Sequence, residues 1–119
     1  MHESRESIRL PFTATVKVIH DHRVSFYGYT RDISREGIGL YSCSALEGPG
    51  KIRLEITFKD IWGKSRIETV HGEIAWTYKW NWVYVLGVRF TQILNHEETP
   101  ALLEYIERCE RLICEDIHH

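Results

Sequence analysis

The sequence has no apolar run approaching the roughly 18 residues that a membrane-crossing helix needs. Its first residues, Met1 to Arg9, are polar and charged and hold no apolar stretch of the kind a secretory leader requires. These two absences exclude helical membrane insertion and make the cytoplasm the expected compartment. Cysteine is scarce: Cys43, Cys109 and Cys114 are odd in number and form no CxxC pair, so a disulfide framework is excluded and reduced thiols are expected. A basic excess is also missing. The formal charge is −2 and the pI about 6.4, which speaks against a protein that grips long nucleic acids. GxSxG, the P-loop, HExxH and GxGxxG are all absent, so the catalytic classes they mark lose their support and the chain is not expected to be an enzyme.

What is present is an ordinary globular balance, with 43% hydrophobic and 27% charged residues over 119 positions, enough for one domain with one core. Period-2 alternation marks strands over residues 12–19, 24–30, 38–41, 51–58, 66–79 and 82–90. Turns are expected at His20–His22, at Gly48-Pro49-Gly50, around Gly63 and at Asn81. Arg31 to Gly37 is polar and ends in glycine, so it reads as a loop. Trp76 falls in phase with Val70 and Ile74, which places it on their face, in the core or at its rim. After Thr91 the period changes. Thr99-Pro100 supplies a hydroxyl cap and an N-terminal proline, and Leu102, Ile106, Cys109 and Ile113, widened by Leu103 and Leu112, form a helical stripe to about Asp116. The expected fold is mainly β: a small antiparallel barrel of about six strands with a C-terminal α-helix. Residues 1–11 form an arm, 12–92 the barrel and 97–117 the helix packed on it.

Two motifs occur in order. Arg5-Glu6-Ser7-Ile8-Arg9 is an RxxxR just before the first strand, and Asp32-Ile33-Ser34-Arg35-Glu36-Gly37 is a DxSxxG one hairpin later. Gly72-Glu73-Ile74-Ala75-Trp76 and Leu86-Gly87-Val88-Arg89-Phe90 follow downstream. In this arrangement the chain resembles PilZ domains over roughly residues 5 to 92. The resemblance implies an antiparallel barrel that binds cyclic di-GMP, with the arginine arm folding over the ligand and DxSxxG forming part of the pocket floor. Carried over residue by residue, the ligand-binding candidates are Arg5, Arg9, Asp32, Ser34 and Gly37. No metal or further cofactor is implied, and the resemblance points to an unidentified downstream protein in motility, pilus assembly, exopolysaccharide production or transcription. Ser4 stands where an additional arginine fork would precede the motif, which favours one nucleotide per chain.

These residue types suit that ligand. Guanine offers O6 and N7 as acceptors, matched by an arginine fork, and N1–H and N2 donors, matched by an ionised carboxylate. Arg5 and Arg9 can hold phosphate or an O6/N7 edge, Asp32 the donor edge, Ser34 a small hydroxyl contact, and Gly37 a close backbone approach. Each position also has a plainer reading. Terminal arginines are commonly solvated, and Asp32, Ser34 and Gly37 suit an ordinary turn. Trp76 is a core residue or a stacking platform, while Arg31, Arg35 and Arg89 are solvated or lend positive potential. Trp62, Trp80, Trp82 and Tyr84 crowd one region and are either packed or a protein contact. His20 and His22 lack a third metal ligand by spacing. The alternative functions are an adaptor of the same fold that uses no nucleotide, and an aromatic-rich barrel that binds single-stranded nucleic acid.

Overall fold

The computed structural model describes residues 8–44 and 50–117, with side chains to Cys114. Seven strands and one helix follow each other: β1 Leu10–Pro11, β2 Ala14–His20, β3 Arg23–Ile33, β4 Gly37–Ser42, β5 Lys51–Lys59, β6 Ser65–Trp80, β7 Val83–Phe90 and α1 Pro100–Ile117. All pairings are antiparallel. The sheet runs β1-β3-β2-β5-β6-β7-β4, and a further pairing of β3 with β4 closes six strands into a barrel. Closure removes the exposed edges that an open sheet would carry.

The expected alternation holds best in β5, where Ile52, Leu54, Ile56 and Phe58 are buried and the residues between them are not. Val16, Val18, Phe26, Ile33, Ile38, Leu40, Val70, Leu86 and Val88 complete the barrel interior. Each such side chain contributes roughly 1.5–3 kcal/mol by leaving water. The hairpin turns carry the chemistry that their geometry requires. Asp21 and His22 hold φ of 52° and 64° between the paired His20 and Arg23, the twist of a two-residue β-hairpin loop. At the β5–β6 turn, Asp60 Oδ1 accepts from the backbone N–H groups of Trp62 and Lys64, while Arg66 Nε donates to Oδ2 at 2.8 Å. The turn expected at Gly48-Pro49 lies outside the described residues.

Three expectations need correction. β3 continues through Arg31 and Asp32 to Ile33, so the stretch read as a loop is mostly strand and only Ser34 to Glu36 turns. Leu112 is exposed and does not widen the helix stripe. The helix cap is also different. Thr99 is fully buried, but its hydroxyl exchanges hydrogen bonds with the Asn95 backbone. The free N–H groups of Ala101 and Leu102 instead donate to Glu68 Oε2 and Oε1 at 2.8 and 2.9 Å. A carboxylate on β6, 33 residues upstream, therefore caps α1 and lies at the positive end of its dipole.

Ala101, Leu102, Leu103 and Ile106 are buried against the barrel, with Tyr105, Cys109 and Ile113 partly so. Phe12 packs against both Phe58 and Tyr105, with ring centroids 5.5 and 5.2 Å away, and Tyr105 Oη donates to the Pro11 carbonyl. The helix thus seals one end of the barrel, beside the segment that leads from Arg9 into β2. Glu68→Ala is expected to destabilise the fold by about 1–3 kcal/mol in urea denaturation and to speed amide exchange at Ala101 and Leu102, because two buried donors lose their acceptor. An unchanged midpoint would show that the cap is dispensable.

Candidate functional site

Two β-bulges shape the outer surface of the barrel. On β3 the register with β4 shifts between Thr30 and Asp32, leaving Arg31 as the extra residue; on β6 the register with β7 shifts between Ile74 and Trp76, leaving Ala75 extra. A bulge reverses the phase of a strand relative to its partner. Thr30 pairs with the buried Leu40, and beyond the bulge Asp32 pairs with Gly39. Ile74 pairs with the buried Val88, and beyond the bulge Trp76 pairs with Gly87. Trp76 therefore leaves the face of Val70 and Ile74 and stands on the outside, 44% exposed, which corrects the placement that uninterrupted alternation predicts.

Because Gly39 pairs with Gly87, the two bulged strands become the ends of one row: Asp32, Gly39, Gly87, Trp76. The two central positions bear no side chain. A Cβ on Gly39 would sit 2.6 Å from Asp32 Oδ1, and one on Gly87 would overlap the Trp76 indole. The floor is bare so that the Asp32 carboxylate and the indole can lie down over it from opposite sides. Arg31 spans the middle. Its Nε donates to Asp32 Oδ2 at 3.2 Å, and its Cζ lies 5.7 Å from the Trp76 ring centroid, a cation–π distance.

Arg9 reaches the same carboxylate from the chain just before β1, Nη2 donating to Asp32 Oδ1 at 2.6 Å. Partial burial alone would raise the Asp32 carboxyl, but hydrogen bonding by Arg9, followed by the charges of Arg9 and Arg31, outweighs it and holds the group below the ordinary carboxylate value. Asp32 is therefore ionised at neutral pH.

The DxSxxG turn closes the next row. Ser34 is 2% exposed; its N–H donates to the Gly37 carbonyl at 2.8 Å, and its hydroxyl accepts from the Glu36 N–H at 3.3 Å. The Phe90 N–H donates to the Glu36 carbonyl at 2.8 Å, tying the turn to β7. A Cβ at Gly37 would strike the Val88 carbonyl oxygen, a backbone atom that cannot give way cheaply.

Arg9, Arg31, Ser34, Gly37, Gly87, Trp76 and Arg89 are among the residues lining a cavity of about 330 Å³ at the Gly87–Trp76 end of this floor, and Asp32 adjoins it through its bonds to Arg9 and Arg31. Of the five residues singled out from the sequence, Arg9, Ser34 and Gly37 line this cavity and Asp32 adjoins it through its bond to Arg9, while Arg5 lies outside the described residues. Arg89 is held by Glu73, directly opposite on β6. Arg35 points away to α1, so of the three arginines weighed as sources of positive potential only Arg31 and Arg89 face the cavity. Gly39 was missed. Its signal, glycine inside a strand pattern, marks a close approach without saying of what.

One row further along the same outer face, Tyr29, Tyr41, Val85 and Tyr78 are cross-strand neighbours. Tyr27, Tyr29, Tyr78 and Trp80 are all at least 59% exposed there. The aromatic surface is therefore this one, whereas Tyr84 is partly buried against the core and Trp62 sits apart on the β5–β6 turn. Among the described residues no group of three His, Cys, Asp or Glu side chains is placed to hold a metal, and no helix is long and apolar enough to cross a membrane.

A barrel of this closure, with Arg9 bound to Asp32 of a DxSxxG motif on its outer wall, defines a class of small β-barrel modules. The PilZ domain family model matches residues 3–108, and the chain belongs to that family. Among solved structures it is similar to the PilZ domain of YcgR from Escherichia coli with c-di-GMP, at 15% identity and a TM-score of 0.65, with 98% of each chain covered. It is also similar to the Bacillus subtilis inhibitor of motility MotI/DgrA, at 14% identity and a TM-score of 0.70. That match covers 92% of this chain but 53% of MotI/DgrA, so the chain spans about half of that relative's length. At these identities the likeness shows the shared fold. No curated protein matches the sequence.

The depressed Asp32 pKa has a definite pH signature. Its stabilising effect is complete above the unfolded carboxylate value of about 3.9, declines as pH falls toward the lower folded value and is gone below it. Wild type minus Asp32→Asn stability should follow that course, with a plateau of no more than about 1 kcal/mol because the pair is partly solvated. A difference that stays constant from neutral pH to pH 2 would contradict the ion-pair assignment.

Proposed function

We propose that the chain is a cyclic di-GMP receptor of the cytoplasm, without catalytic activity of its own, that takes one nucleotide per chain and passes the signal to a partner protein. The observation that carries this reading is that residues of both motifs meet at one cavity: Arg9, Ser34 and Gly37 line it together with Gly87 and Trp76, and Arg9 binds the adjoining Asp32 at 2.6 Å. Asp32 has two oxygens and so retains lone pairs for the N1–H and N2 donors of a guanine while it is held by Arg9 and Arg31. Those two guanidiniums have further N–H groups for phosphate or for O6 and N7. Trp76 offers an exposed indole face for stacking a base. Ser34 and Gly37 shape the turn and let the backbone approach. Arg5 joins them on the strength of its motif, and the family match together with the c-di-GMP named for the YcgR domain supports the choice of ligand.

The partner step is supported by the aromatic surface of Tyr27, Tyr29, Tyr41, Tyr78 and Trp80, which adjoins the floor. The same surface favours the second reading, an adaptor in motility or pilus assembly that uses no nucleotide.

Calorimetric titration with cyclic di-GMP separates them. Saturable binding at about one equivalent is expected, with no heat from GTP or cyclic di-AMP. Arg9→Ala is expected to weaken it about 10- to 150-fold, the loss of one charge-assisted hydrogen-bonding group worth roughly 1.5–3 kcal/mol. No saturable heat and no thermal shift at high ligand concentration would leave the adaptor.

A further inference from the structure

Arg35 is one of the two central residues of the Ser34–Gly37 turn, and its neighbours Ser34 and Glu36 both line the cavity. Its own side chain goes the other way. It forms a fork with Glu110 of α1, Nε to Oε2 at 3.1 Å and Nη2 to Oε1 at 2.7 Å. There it lines a hollow formed with Glu107, Glu110, Arg111 and Cys114.

The fork is not what shapes the turn. The Ser34–Gly37 and Phe90–Glu36 backbone bonds and the pairing of Gly37 with Arg89 do that without it. Nor does the first half of α1 depend on it, since that half has the Glu68 cap, the Tyr105–Pro11 bond and the buried Leu102, Leu103 and Ile106. Past Ile106 the packing thins: Cys109 and Ile113 are half-buried, and Leu112 and Cys114 are exposed. Among the described residues, Arg35–Glu110 is the only hydrogen-bonded tie from this second half of the helix to the barrel.

From this we infer that Glu110 is a latch: it withholds Arg35 from the anionic ligand of the neighbouring cavity, and a ligand that recruits Arg35 releases the second half of α1. The inference rests on the nucleotide reading above. The physical case is a competition for one guanidinium. The pair is a two-bond fork whose side chains are 44% and 19% exposed, so solvent screens it in part and its hold on Arg35 is modest beside that of a ligand of higher charge. A ligand with two phosphates presents more acceptor oxygens and more charge than one carboxylate. Arg35 flanks the cavity through its neighbours Ser34 and Glu36, so the exchange starts from a residue already beside the ligand. Occupancy is thereby carried from the signature turn to a helix surface that a partner can read, and Glu110 sets the affinity without touching the ligand.

The test combines calorimetry of cyclic di-GMP on wild type, Glu110→Gln, Arg35→Ala and the double variant with amide exchange over residues 107–114. Glu110→Gln should bind about two- to fivefold more tightly than wild type, since the competing pair is removed. Arg35→Ala should bind more weakly, and adding Glu110→Gln to it should change nothing further. Ligand should speed exchange over residues 107–114 in wild type and leave it unchanged in Glu110→Gln, where it is already fast. Binding by wild type with Glu110→Gln equal or weaker, or with Arg35→Ala unaltered, overturns the latch alone. No saturable heat from wild type and Glu110→Gln alike overturns the nucleotide reading, and the latch with it.

Discussion

β3 hydrogen-bonds to β2 from Arg23 to Tyr29 and to β4 from Tyr29 to Ile33, and this hand-over at one tyrosine closes the barrel. A strand that changes neighbours must bend, and the extra residue Arg31 just past the hand-over is where the phase is reset. The opposite wall makes the same adjustment at Ala75 on β6. With β4 and β7 between them, the two bulges turn Asp32 and Trp76 onto the outer surface at the two ends of a glycine floor. The cavity is a consequence of how the sheet closes, and its residues come from four strands, the β3–β4 turn and the segment before β1.

The arginines around the floor divide by what holds them. Arg9 and Arg31 share Asp32, Arg89 is balanced by Glu73, and Arg35 is drawn off by Glu110. A chain with net charge −2 thus gathers arginine donors at one place, set against carboxylates, without an overall basic field. That distribution suits a small anion better than a long polyanion, the distinction that composition already drew. Sharing Asp32 also keeps Arg9 and Arg31 in place before any ligand arrives, which lowers the ordering cost of binding.

Much of this was legible in the sequence. The alternation of β5, the Leu102–Ile106 stripe and the order of the two motifs point to the barrel, the helix and four residues that the fold brings near one another, because a local pattern carries each. What could not be read is non-local or a single-residue irregularity. A bulge leaves no mark in a period-2 pattern, so Trp76 was placed with Val70 and Ile74 when it stands on the other face. Thr99 has the chemistry of a cap, yet Glu68 arrives from 33 residues away to do that work. Arg31 and Asp32 look like loop residues by polarity, although β1 and β4 pair with β3 there and make them strand. Arg35 could not be told from Arg31 by composition, since only the fold puts Glu110 beside one of them.

On the reading proposed above, cyclic di-GMP lies over Gly87 and Trp76, within reach of Arg9 and the adjoining Asp32. Titrating isotope-labelled protein with cyclic di-GMP and following backbone and indole N–H resonances tests it directly. The largest shifts are expected at Gly37, Gly39 and Gly87 and at the Trp76 indole, with Thr15, Lys17 and Glu55 on the far wall unmoved. Shifts confined to the far wall, or none at saturating ligand, would contradict it.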